Sequence, residues 1–210
     1  MHPFIKNQNW RYSTKKFDPL KVVADEDFET LKEAIRLSPS SYGLQPYKVV
    51  IVKDKSIREK LRIAASGQPQ ITEASHLMVF ANDILFDASR IDDYILNVSL
   101  TRGIPTGNLD GYGTFMKSQL VPMENEIKSN WTSKQTYLAL GNLLNAAAEL
   151  RIDVTAMEGF DSEAFNEILG LTERGLSATV IAAIGYRHAD DASQHHKKVR
   201  KSHEELFINL

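Results

Sequence analysis

Close to the amino terminus the chain reads RYSTKKF, residues 11–17. Arg11, Ser13 and Lys15 alternate there, and in an extended segment alternate side chains project to one side. A guanidinium, a hydroxyl and an ammonium gathered in this way suit a phosphate or another anion. The plain alternative is a solvated basic stretch, and the motif taken alone favours it. KKVR, residues 197–200, repeats the spacing at the other end. Lys198 and Arg200 could join Arg11 around one phosphate, although by itself such a tail merely keeps a protein soluble.

Two loops between these ends carry polar groups suited to a flat ligand. In SPSSYGLQPYKVVIVKD, residues 38–54, Ser40, Ser41 and Gln45 can donate hydrogen bonds, while Pro39 and Pro46 fix φ and limit the loop's entropy. The same residues would also serve simply to stop a helix and start a strand. In MEGFD, residues 157–161, Gly159 lets the backbone approach a ligand closely, and an exposed N–H there could bond a ring nitrogen. Glu158 adds a carboxylate. Without more context this is a strand-to-helix turn.

Other signals fail. GYGTFM, residues 111–116, lacks the last glycine of a dinucleotide fingerprint and follows no strand. No phosphate loop of the triphosphatase type and no Gly-x-Ser-x-Gly elbow occurs. His195 and His196 are adjacent, with no carboxylate at helical spacing, so no metal is expected. His76 reads as a residue at a strand end.

Length and composition set the frame for these groups. With 210 residues, 42% of them hydrophobic, the chain is expected to form a single domain, 1–210, with a real core. Lys+Arg 25 against Asp+Glu 27 leaves a formal charge of −2, with no basic excess for nucleic acid or an anionic membrane. The absence of cysteine excludes disulfides, iron–sulfur ligation and cysteine nucleophiles, and fits a reducing cytoplasm. The N-terminal residues lack the apolar core of a signal peptide. YLALGNLLNAAAEL, residues 137–150, is too short to span a bilayer and carries Asn142, Asn145 and Glu149. A soluble, cytoplasmic protein is expected.

The elements that position the motifs follow from periodicity. Asp25 can cap a helix running to about Leu37, with Phe28, Leu31 and Ile35 on one face and Pro39 as its stop. Strands are expected at 47–53, 76–82, 153–157 and 177–187, and helices at 56–65, 87–103, 124–151 and 161–171. The first half of the longest helix is polar and its second half apolar nearly all round, as in a core or a subunit interface. Segment 104–123, rich in glycine and proline, reads as a partly mobile loop. Alternating helices and strands with several long links imply a three-layer sandwich with a mixed sheet rather than a regular parallel one.

Weak singly, these pieces form an order: RYSTKKFD, SPSSYGLQPYKVVIV, EASHLMVF, KQTYLALGNLLNAAAEL, MEGFD, and IAAIGYR followed by KKVR. In that order the chain resembles the nitroreductase family of flavin enzymes from Arg11 through Arg200. The nearest branch is that of the oxygen-insensitive NAD(P)H nitroreductases and dihydropteridine reductases. The resemblance implies an α+β fold: a three-layer α/β/α sandwich with a mixed, mainly antiparallel sheet, assembled as an intertwined homodimer with an FMN in each of two interface clefts. It also implies site residues. Arg11, Ser13 and Lys15 match the arginine, serine and lysine that hold the phosphate end and the pyrimidine edge of the flavin. Lys198 and Arg200 match a C-terminal pair on the phosphate. Pro39, Ser40, Ser41 and Gly43 match a loop that the second subunit lays against the flavin rings, and Gln135 a glutamine offered across the interface. Glu158 and Gly159 match a pair whose backbone meets the flavin near N5.

The chain departs from the family pattern in three places. Gly43 stands where many relatives have asparagine, and Ala156 replaces a proline that often lies against the ring. GQPQ, residues 67–70, occupies the place of an asparagine and a lysine, so Gln68 or Gln70 would supply neutral amides. Losing that cation should lower the flavin's reduction potential, with Lys15 a partial compensation. By the same resemblance NAD(P)H would reduce the flavin and a small planar acceptor, a quinone or a nitroaromatic, would reoxidise it in ping-pong fashion. No side chain is assigned a catalytic proton transfer. Segment 104–123 would lie near the acceptor. A reductase of flavin, pteridine or enones, a dehydrogenase with a dedicated substrate, and a flavin-binding redox sensor without turnover remain alternatives.

Overall fold

Four apolar runs make the sheet. A computed structural model describes residues 1–210, with strands β1 (Tyr47–Val52), β2 (His76–Asp83), β3 (Asp153–Met157) and β4 (Leu176–Gly185) in the order β1-β2-β4-β3. All three joints are antiparallel, so within one chain the sheet holds no parallel pair to make it mixed. The two interior strands, β2 and β4, are buried nearly throughout, which their almost unbroken apolar sequences require.

Alternation along β2 builds the layers. Leu77, Val79 and Ala81 face one core cluster with Leu61, Ile71 and Phe165; Met78 and Phe80 face the other, with Phe28, Leu31, Leu140 and Leu143. The first cluster is covered by α3 (Lys55–Ala64), α4 (Gln70–Glu73) and α8 (Ser162–Leu169), the second by α2 (Asp25–Arg36) and α7 (Asn125–Glu149). A smaller cluster joins α5 (Ala88–Arg102) to α6 (Asp110–Leu120) through Ile91, Ile95, Met116 and Leu120. Short helices α1 (Pro3–Trp10) and α9 (His203–Leu206) lie at the two ends. No helix is long and apolar enough to cross a membrane.

Two expectations need correction, and one helix escapes the sequence reading. Asp25 is the first residue of α2 and caps nothing: Ala24 holds the cap position, and Asp25, Glu26 and Asp27 instead place negative charge at the helix's positive end. Helix α1 has too weak an apolar period to be foreseen. Segment 104–123 is helical over Asp110–Leu120 rather than a loop. One of its glycines, Gly113, serves packing, because a Cβ there would sit 3.3 Å from Ile95 Cγ1 on α5. Elsewhere strand ends fall within a residue or two of expectation, and Asp161 caps α8 by accepting the Ala164 N–H at 3.1 Å.

Candidate functional site

After α1 the chain runs extended past Arg11 to Phe17, and its side chains alternate. Ser13 and Lys15 are exposed, while Thr14 is buried and its carbonyl accepts the Thr155 hydroxyl at 2.6 Å. One carboxylate pins this run. Asp191 accepts from the Tyr12 hydroxyl (2.9 Å) and from the N–H groups of Lys15 (2.8 Å), Lys16 (3.2 Å) and Ser193 (3.0 Å). Burial alone would raise the Asp191 carboxyl, but the backbone and tyrosine hydrogen bonds outweigh it and hold the group below the usual carboxylate range. Arg187 adds a second anchor: it pairs with buried Asp153 at 2.6 Å and lies over the rings of Trp10 (4.4 Å) and Tyr12 (4.5 Å). Sequence reading missed Asp191; its signal was the DDAS run after the last strand, a turn-capping pattern.

The two ends of the chain meet here. The Lys198 ammonium donates to the carbonyl oxygens of Gln8 and Arg11, at the negative end of α1, and the Arg11 Nε donates to the Gln8 Oε1 at 2.9 Å. Burial, and then Arg200, lowers the Arg11 pKa; burial, and then Arg11 and Arg200, lowers that of Lys198. None of these three cations has a carboxylate partner. Three positive groups drawn together without a counter-charge repel, and an anion among them would relieve that repulsion.

Beyond β3 lies the turn of Glu158 and Gly159, both exposed. Gln68 follows left-handed Ser66 (φ 55°) and Gly67 (φ 74°), and its amide donates to the carbonyls of Ala65 (3.1 Å) and Gly159 (2.8 Å). Gln70 is 7% exposed, and its Oε1 has no hydrogen-bond partner. Nothing in the chain demands glycine at 159: its φ is not left-handed, and a Cβ would make only an ordinary 3.7 Å contact with Gln68 Nε2. What the missing side chain leaves is open backbone beside exposed Glu158.

The 38–45 loop is built differently. Tyr42 (φ 56°), Gly43 (φ 76°) and Gln45 (φ 44°) are all left-handed, a strained run held by hydrogen bonds. Ser41 N–H donates to Gln135 Oε1 at 2.8 Å, Gln45 N–H to Ser40 Oγ at 2.8 Å, and Asn142 Nδ2 to Ser38 Oγ at 2.9 Å. Gln45, read as a donor to a ligand, instead donates to the Arg36 carbonyl at 2.9 Å. That brings it back to the end of α2. Gln135 is buried and engaged with Ser41 and the Trp131 carbonyl, so it braces the loop within its own chain. Gly43 is favoured by the fold, since its φ is left-handed and a Cβ would come within 2.9 Å of the Tyr94 hydroxyl, which would have to shift. Pro39 stays exposed at the loop's rim.

Helix α7 separates the two groups. Gln135 holds the loop, whereas Tyr137 donates its hydroxyl to Glu158 Oε1 at 2.7 Å. Two residues along a helix are about 200° apart around its axis, so loop and turn lie on different sides of it. The groups left open suit a mononucleotide: cations without carboxylates for a phosphate, the Gln70 amide oxygen for a heterocycle edge, and backbone left bare at Gly159.

Comparison with known proteins places this arrangement in a class. The model of the nitroreductase family matches residues 9–186, and the chain belongs to that family. A putative NAD(P)H nitroreductase, YfkO, of Bacillus subtilis (strain 168) is 40% identical over 193 residues, 87% of each chain. The major NAD(P)H-flavin oxidoreductase of Aliivibrio fischeri is 35% identical over 221 residues, covering 100% of this chain and 99% of that one. A putative nitroreductase of Exiguobacterium sibiricum, solved in complex with FMN, has the same fold at TM-score 0.84 and 16% identity, over 100% of this chain and 98% of that one.

Proposed function

We propose that this chain, an NAD(P)H-dependent flavin oxidoreductase by family, binds one FMN per protomer in a cleft shared by two copies and passes electrons from NAD(P)H to small planar acceptors such as quinones or nitroaromatics. The observation that carries the reading is the Lys198 ammonium seated on the carbonyls of Gln8 and Arg11, which joins the two ends of the chain, with no carboxylate paired to Arg11, Lys198 or Arg200. These three would hold the phosphate. Ser13 and Lys15, exposed beside them, would reach the phosphate end and the pyrimidine edge. Gln68, its amide hydrogens already engaged, and Gln70 would offer that edge only their amide oxygens, and Glu158 with Gly159 would lie against the central ring. When bound, the flavin supplies the chemistry: it accepts a hydride from the nicotinamide and delivers the electrons onward.

The placement of the loop supports a homodimer. Pro39, Ser40, Ser41 and Gly43 lie across α7 from their own chain's turn, so we assign them to the flavin of a second copy, with Gln135 bracing them. Exposed apolar side chains favour such a partner: Tyr137 and Leu138 on α7, and Val199, Leu206, Phe207 and Ile208 in the tail. No proton-transferring side chain is assigned, because acceptor oxygens can take protons from water. The cysteine-free sequence is in keeping with a cytoplasmic enzyme.

The test is direct. Purified protein should be yellow, release FMN on denaturation, and bleach when mixed anaerobically with NADH or NADPH. A colourless protein that takes up no added FMN overturns the proposal, and a yellow one that stays oxidised makes it a binder without turnover.

A further inference from the structure

Four hydrogen bonds converge on the turn after β3. Phe160 N–H donates to the Glu158 carbonyl (2.9 Å) and Asp161 N–H to the Ala64 carbonyl (2.9 Å). Gln68 Nε2 donates to the Gly159 carbonyl (2.8 Å), and the Tyr137 hydroxyl to Glu158 Oε1 (2.7 Å). The N–H groups of Glu158 and Gly159 donate to nothing in the chain. A two-residue stretch of free, exposed donors is thus clamped from α7 on one side and from the turn before α4 on the other. Clamping an exposed turn this firmly adds little to the fold, because water would serve the same groups. It does fix the direction in which two N–H groups point.

We propose that Tyr137 and Gln68 are positioning residues that hold these two donors against the flavin and thereby set its reduction potential. The inference rests on the reading that the turn faces the flavin's central ring. A flavin nitrogen that accepts from a backbone N–H when oxidised becomes a donor itself on reduction, so donors held in place favour the oxidised state. Gln68 has both amide hydrogens engaged, to Ala65 and Gly159. Its locked orientation gives the Gly159 peptide one direction. Tyr137 keeps its proton: burial first, then the hydrogen bond to Glu158, pushes its pKa up to about 12, so the hydroxyl donates at every working pH. Neither residue needs to touch the reacting atoms.

The experiment is the midpoint potential of bound FMN, by equilibration with reference dyes, in wild type and Tyr137→Phe. That variant removes one hydroxyl, keeps the ring in place and should fold normally. With the clamp loosened, the preference for oxidised over reduced FMN should fall three- to tenfold, a rise of up to about 30 mV for a two-electron couple. Oxidised FMN should still bind within a fewfold of wild type. In a Glu158→Ala background the same change should shift nothing further, since the hydroxyl acts only through that carboxylate. Gln68→Ala should raise the potential in the same direction. An unchanged potential in Tyr137→Phe with FMN bound overturns the inference and leaves the proposed function standing. The inference also fails if the shift persists in the Glu158→Ala background. A wild type that binds no FMN overturns both readings together.

Discussion

The 38–45 loop, half-buried, and the turn at 158–160, exposed at Glu158 and Gly159, are both short and carry a glycine, yet they satisfy themselves in opposite ways. The loop is closed on itself: Ser41, Ser40, Ser38 and Gln45 all find partners in the same chain, and both φ and the nearby Tyr94 hydroxyl favour glycine at 43. The turn is clamped but unfinished. Its Gly159 answers to no steric demand of the chain and two of its N–H groups are free, while the joined chain ends hold cations without a carboxylate partner. A region whose groups are spent internally can form a wall. One whose groups are held in place and left unpaired is built to bind.

That difference predicts which substitutions cost ligand and which cost stability. The largest effect should come from the binding face. Arg11→Ala with Lys198→Ala removes two charge-assisted contacts, each on the order of 1.5–3 kcal/mol. FMN affinity should fall roughly 100- to 10,000-fold by titration, while circular dichroism stays that of the folded protein. Full FMN occupancy in the double variant would break the comparison.

Next comes the anchor of that face. Asp191→Asn should lower unfolding stability by about 2 kcal/mol, since Tyr12 and three N–H groups lose a charged acceptor. Its carboxyl is held below the usual range when folded, so its contribution is present above the unfolded value, about 3.9, and is lost as pH falls through the folded one. Denaturant titrations should therefore show wild type and variant converging below about pH 4. A gap that persists unchanged at low pH would point to packing instead.

The two glycines sharpen the contrast at smaller scale. Gly159→Ala should leave stability within about 0.5 kcal/mol while weakening FMN roughly tenfold, because the new methyl stands where the ligand approaches. Gly43→Asn should do the reverse, costing ~1–2 kcal/mol of stability. Asparagine tolerates a left-handed φ, so the clash with Tyr94 dominates, and adding Tyr94→Phe should restore most of the loss in a double-mutant cycle.

Much of this was legible in the amino-acid order, for identifiable reasons. Strands β2 and β4 announce themselves because burial on both faces forces a nearly continuous apolar run. The alternation of Arg11, Ser13 and Lys15 could be read because extended backbone has only one period. The bracing contacts could not be read. Gln135 looks like a surface donor in sequence, and only packing against Ser41 turns it inward. Gln45 and Tyr137 depend on elements 9 and 21 residues away, distances over which local pattern carries no signal. Segment 104–123 misled for a chemical reason. Gly113 there lets α6 pack closely on Ile95, and composition cannot tell a glycine that loosens a chain from one that lets two helices touch.

Sedimentation velocity, followed in the visible band of the flavin, tests the shared site most directly. The account predicts that colour moves with a species of twice the 23.6 kDa chain mass, carrying one FMN for each chain. Flavin travelling on a single 23.6 kDa chain, or a paired species with no colour after incubation with FMN, would contradict it.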